Sequence, residues 1–273
     1  MRTTSNPAFR NLPAGGSGYA GFDSAPASFP GAAPGYGGVL PTTSRPMTVD
    51  DVVTKTGITL AVLIITGAAT YFAPSLWWLA LPAALIGFVL ALVVIFKKVV
   101  SPPLILAYAA VEGVFLGGIS GVVGTQVERL TGTTAAGGTS IVLEAITGTL
   151  LVFAGMLVVY KTGAVKVTPR FTKWLTGALI GVVGLMLVNI IAGFFNHGAG
   201  LGLRDGGPLA IVFSLVCIGI AAFSFLLDFD AADQAIRAGA PEKTAWYIAF
   251  GLTVTLVWLY LEILRLLSYF QGE

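Results

Sequence analysis

Polar positions interrupt this chain rarely, and where they do they divide it into seven apolar runs near 57–73, 76–96, 102–124, 140–160, 174–195, 208–228 and 246–268. At 1.5 Å per helical residue, each run is long enough to cross a hydrocarbon layer of about 30 Å. They are too long for strands and lack the alternation of a membrane barrel, so the pattern predicts seven transmembrane helices. Only "APS", residues 73–75, separates the first two runs, which predicts a tight hairpin. Pro74, Pro102, Pro103 and Pro208 stand at run edges, where proline is tolerated, while Pro82 can kink the second span. Ahead of the first run, Thr48 and Asp51 in "MTVDDVVTKTG" have the spacing of a helix N-terminal cap.

Residues 1–47 have no apolar stretch and are rich in Gly, Pro, Ala and Ser. They read as a disordered cytoplasmic tail rather than a signal peptide, leaving 48–273 as one seven-span domain.

Composition agrees: of 273 residues, 56% are hydrophobic and 10% charged, and the mean hydropathy is +0.88. A soluble domain usually carries about 25% charged residues. The net charge of +2 without a basic block gives no sign of nucleic-acid binding. Cys217 is the one cysteine and reads as a small buried hydrophobe, and His197 is the one histidine, so no histidine cluster exists to hold zinc or iron. With the tail inside, inner segments hold twelve Lys or Arg and outer loops hold only Arg129 and Arg204, with Arg265 near the outer end of the last helix. By the positive-inside rule this sets the N-terminus in the cytoplasm and the C-terminus outside a cell membrane. Gly113, Gly117 and Gly121 in the third span, and Gly177, Gly181 and Gly184 in the fifth, offer small faces for close helix packing.

The candidate chemistry lies in acids within these runs, because an intramembrane charge is costly and marks a pathway or proton site by default. Glu112 sits mid-span in "AYAAVEGVFLGGIS", with no cation in its own run. Glu144 lies near the mouth of the fourth span, where it can reach water. Asp228 closes the sixth, and Asp230 and Asp233 beyond it read as solvated. Glu262 lies three residues before Arg265, on the same helix face, so the two can pair. Acids without matching lysines can bind a hard cation such as calcium, or share a proton when two are neighbours. No His-Glu-x-x-His, Gly-x-Ser-x-Gly or Gly-x-Gly-Asp signature appears, so the sequence is not read as an enzyme.

The stretches "AYAAVEGVFLGGIS" (107–120), "LLDFDAADQAIRAGAP" (226–241) and "AFGLTVTLVWLYLEILRLL" (249–267), with the lead-in 47–57, resemble the Bax inhibitor-1-like family, most closely its actinobacterial-type branch, over about 47–270. The resemblance implies an all-α integral membrane fold of six helices surrounding a central seventh. It also implies a pH-sensitive calcium leak without a resident cofactor, calcium being a transient occupant. In that scheme an aspartate ending the sixth helix pairs with an aspartate in the seventh, which carries over by position to Asp228 and Glu262. The residues themselves add Glu112 as a pathway or proton site, with Glu144, Asp230 and Arg265 as secondary candidates. Register alone reads differently. With an apex near Gly239–Pro241, Asp228 stands about 15 Å and Glu262 about 30 Å above the turn. The implied partners are the bilayer, a calcium ion or proton, and membrane proteins; a non-transporting regulator that docks proteases or stress factors is the competing reading.

Overall fold

The computed structural model describes residues 45–97, 100–132, 135–196 and 200–271, so all but the last three residues of the expected tail lie outside the described residues. Seven long helices are present: α1 (Val49–Tyr71), α2 (Ala80–Lys97, preceded by a 3-10 turn over Pro74–Leu79), α3 (Pro102–Thr131), α4 (Ala135–Thr162), α5 (Pro169–Phe195), α6 (Pro208–Arg237) and α7 (Thr244–Gln271). All seven, counting the Pro74–Leu79 turn with α2, are long and apolar enough to cross a membrane. No strand forms among the described residues; one isolated bridge joins Pro46 and Pro241.

Helix ends follow the local chemistry. Thr48 and Asp51 form the expected capping box: Asp51 N–H donates to Thr48 Oγ1 (3.3 Å) and Thr48 N–H to Asp51 Oδ2 (2.9 Å). Prolines 102, 169 and 208 open α3, α5 and α6, where a missing N–H costs nothing. The sixth helix does not stop at Asp228. It runs on to Arg237 because Phe229 and Ala232 stay buried while Asp230 and Asp233 lie on its polar side. It ends in a Schellman turn: Gly239 takes φ +65°, its N–H donates to Ile236 O, and Ala240 N–H donates to Ala235 O.

The seventh helix is central. It packs against α1, α3, α4 and α6, and its buried residues include Leu252, Leu256, Leu259 and Leu264. The outer helices are not equal: α2 rests on α3, and α5 rests on α6. The expected hairpin of the first two spans has its short connection but not its packing, because both legs lie on α3. Trp77 closes that connection, its Nε1 donating to the carbonyls of Thr70 and Tyr71.

Glycines on α3 explain this arrangement. A Cβ at Gly113 would collide with Leu63 O, and one at Gly117 with Gly67 O, so α1 touches α3 backbone to backbone. Gly121 makes the same room for the Trp77 ring. The matching reading of α5 finds no partner: added Cβ atoms at Gly177, Gly181 and Gly184 would meet nothing within 4 Å, so this face packs against no other helix among the described residues. A Gly117→Val chain should therefore lose its monodisperse peak on size-exclusion chromatography, whereas Gly177→Ala should elute like the parent. Overpacking of this kind costs about 1–3 kcal/mol where side chains can yield, and more where backbone is hit.

Residues 45–47 are pinned to the α6–α7 turn. Met47 N–H donates to Ala240 O (2.8 Å) and Glu242 N–H to Arg45 O (2.9 Å). Lys55, 8% exposed, donates to Glu242 Oε1 (3.1 Å) and to Glu242 O (2.9 Å), while Arg45 pairs with Asp51 at 2.7 Å. Arg45 and Pro46 thus pack with the helical bundle, and Met47 is buried in its core.

Candidate functional site

Buried acids meet α7 at two levels. At the first, Asp228 on α6 faces Thr255 on α7, whose Oγ1 donates to Asp228 Oδ2 at 2.7 Å. Gly251, one turn earlier, leaves room for the carboxylate: a Cβ there would come within 3.9 Å of Oδ1. Asp228 is half-buried and Thr255 buried. On another side of α7, Glu112 of α3 is 8% exposed and presses against α2, where a Cβ at Gly87 would meet its Oε1 at 2.7 Å. The Tyr108 hydroxyl, one turn before, lies beside this carboxylate. The Tyr108 ring meets Phe250 of α7 edge-on at 4.9 Å. One further turn along α3 sets Glu112 level with about Val254, so both acids flank α7 at one depth. Neither forms an ion pair among the described residues.

The second level lies seven residues further along α7, about 10 Å. Glu262 is 2% exposed, and its Oε1 accepts from Arg204 Nη2 (3.1 Å) and Arg265 Nη1 (3.2 Å). Arg204 comes from the α5–α6 connection and is held over the Phe213 ring (5.6 Å to the centroid) and against Met186 Sδ (3.5 Å). Glu262 Oε2 is buried without a hydrogen-bond partner. Between the levels, Ser120 on α3 and Tyr260 on α7 share a hydrogen bond of 2.7 Å.

The structure therefore does not bring Asp228 and Glu262 together. The position opposite Asp228 is the hydroxyl of Thr255, and Glu262 is occupied by two arginines, one of them the expected Arg265. The reason is the register set by the Schellman turn: Asp228 stands nine residues before the end of α6, and Thr255 eleven after the start of α7. The remaining candidates lie apart. Glu144 is exposed and accepts from Ser140 Oγ (2.7 Å), Asp230 accepts from Gln234, and Asp233 pairs with Arg237 (2.8 Å) beside the Tyr160 hydroxyl. Among the described residues no group of three His, Cys, Asp or Glu side chains comes together to hold a metal ion. Sequence reasoning missed Thr255 and Arg204. Arg204 had one signal, being one of only two cations in the loops that the charge bias reads as outer.

A family model described as Bax inhibitor 1 like matches residues 6–272, almost the whole chain. No curated protein matches it.

Proposed function

The chain belongs to the Bax inhibitor 1 like family, and on that premise we propose that it leaks cations across a cell membrane, calcium first among them, under the control of a proton at Asp228. The observation that carries this reading is the Asp228–Thr255 clasp: an acid inside the bundle, bonded across two helices by a neutral hydroxyl, with no cation beside it among the described residues. An ionised acceptor makes the stronger hydrogen bond, so taking up a proton loosens the contact that ties α6 to the central helix. Only the ionised carboxylate offers a cation its charge, so one proton changes both helix contact and ion affinity. Glu112, at the same depth, supplies the second carboxylate oxygens of the path. Glu262, locked to Arg204 and Arg265, restricts the far end. The lysine bias supports a cytoplasmic N-terminus with the Glu262 end outside.

The test is reconstitution of the full chain into liposomes holding a calcium-sensitive dye. Calcium entry above that of protein-free liposomes, varying between about pH 6 and pH 8, is the expected result. Entry equal to that of empty liposomes at every pH contradicts the reading.

A further inference from the structure

Two helices that share neighbours but do not meet leave a gap. Both α1 and α4 pack on α3 and on α7, yet among the described residues their backbones do not approach each other. Between them lies a groove of about 320 Å³. Its floor is made of buried side chains from α3 and the central helix, Leu116, Leu256, Val257 and Tyr260 among them. Its rims are exposed apolar rows: Ile64, Ala68 and Phe72 at four-residue spacing on α1, and Leu143, Ile146 and Leu150 along α4. Both rims lie on spans apolar enough to cross a membrane, so the groove carries the lipid-facing surface inward to the central helix.

The wall asks for no polar ligand, because its hydroxyls already have partners. Tyr71 bonds Thr139 (3.1 Å), Ser120 bonds Tyr260 (2.7 Å), and Thr149 donates to Ala145 O (2.7 Å). An apolar cavity of about 150 Å³ stays dry and takes benzene, and this groove is roughly twice that size. Left empty, it would forfeit dispersion contacts along its whole length. Its dimensions select the occupant. From Tyr71, the last residue of α1, to Leu60 is eleven residues, about 16 Å. That is half of a hydrocarbon core of about 30 Å, the depth of one leaflet. A partner helix, about 10–12 Å across, would have to part the Tyr71–Thr139 bridge that joins α1 to α4. Trp78 is exposed in the connection that follows α1, and tyrosine and tryptophan together mark the headgroup level at this end.

We propose that this groove binds one phospholipid acyl chain, inserted from the leaflet at the Tyr71 end with its tip toward Leu60. The acyl chain supplies the contact between α1 and α4 that the protein lacks, and it touches the central helix at Leu256 and Val257. Lipids that only cover the outer faces reach neither residue, since both are buried. The proposal stands whether or not the protein passes cations.

The experiment places the full chain in nanodiscs of phosphatidylcholine carrying a diazirine midway along one acyl chain, followed by illumination and peptide mapping. Label on Leu256, Val257 or Tyr260 is the expected result. The double variant Ala68→Phe with Ile146→Phe, which fills the groove from its two exposed rims, should lose that label. Val183→Phe with Ile190→Phe, an equal change on the exposed face of α5, should keep it. Label confined to outward faces of the surrounding helices in the parent overturns the proposal without recourse to any variant. Label on the central helix that survives filling of the groove overturns it as well.

Discussion

An Arg204→Leu chain should lose about 3 kcal/mol of stability, seen as a large fall in thermal midpoint. Glu262 is 2% exposed and its charge is met by two guanidiniums, whose side chains are 24% (Arg204) and 34% (Arg265) exposed. Removing one partner of a buried pair costs about 3–5 kcal/mol, because the remaining charge stays desolvated. Arg265 still reaches the same oxygen, which keeps the loss toward the lower end. The leucine also forfeits the contact over Phe213. The double variant Arg204→Leu with Glu262→Leu should recover most of the loss, since replacing both members of a buried pair with apolar groups is often close to neutral. Failure of the second change to restore the midpoint would mean that Arg204 stabilises the bundle through packing and not through Glu262.

The second large effect is a shift in pH response. Thr255 occupies the position on α7 from which a side chain touches Asp228. Thr255→Asp therefore installs two carboxylates facing each other across α6 and α7. Two such groups cannot both ionise cheaply, so they hold one proton between them over a wider range of pH. The pH of half-maximal calcium entry should move upward by about one unit or more relative to the parent. Thr255→Val gives the complementary result: the clasp is gone, the volume is kept, and the pH dependence should flatten. A Thr255→Asp chain that titrates like the parent would mean that this contact plays no part in the response.

The sequence made some of this legible for definite physical reasons. Seven spans could be read because each apolar run is long enough to cross a bilayer and is bounded by prolines, charges or glycine-rich polar stretches. The close-packing face of α3 could be read from Gly113 and Gly117, where four-residue spacing puts both on one side, but that α1 fills it could not. The same spacing on α5 misled, since a run of glycines defines a face but does not supply a neighbour for it. The sixth helix reads short in the sequence because acids at 228, 230 and 233 resemble a helix end, yet it continues to Arg237. An amphipathic helix can carry acids on one side and keep Phe229 buried on the other.

The pairing of Asp228 shows where each kind of reading reaches. The resemblance carried an acid pair onto Asp228 and Glu262, two residues of the right chemistry. Helix register put them at different heights, and register prevailed: from the same turn, nine residues back and eleven forward meet at Asp228 and Thr255. A threonine inside a span carries no signal by type, since its hydroxyl commonly bonds the carbonyl four residues back, as Thr253 does with Ala249. Arg204 escaped because a loop residue far away in sequence folds over the end of α7, which no local pattern encodes.

The central claim is that the proton acts at Asp228 and not at a carboxylate pair with Glu262. It is tested most directly by calcium entry into dye-loaded liposomes from about pH 6 to pH 8 for Asp228→Asn and Glu262→Gln side by side. The account predicts that Asp228→Asn makes entry independent of pH while Glu262→Gln keeps the parent's dependence, whatever its absolute rate. A parent-like pH profile in Asp228→Asn, or a profile flattened equally by both substitutions, would contradict it.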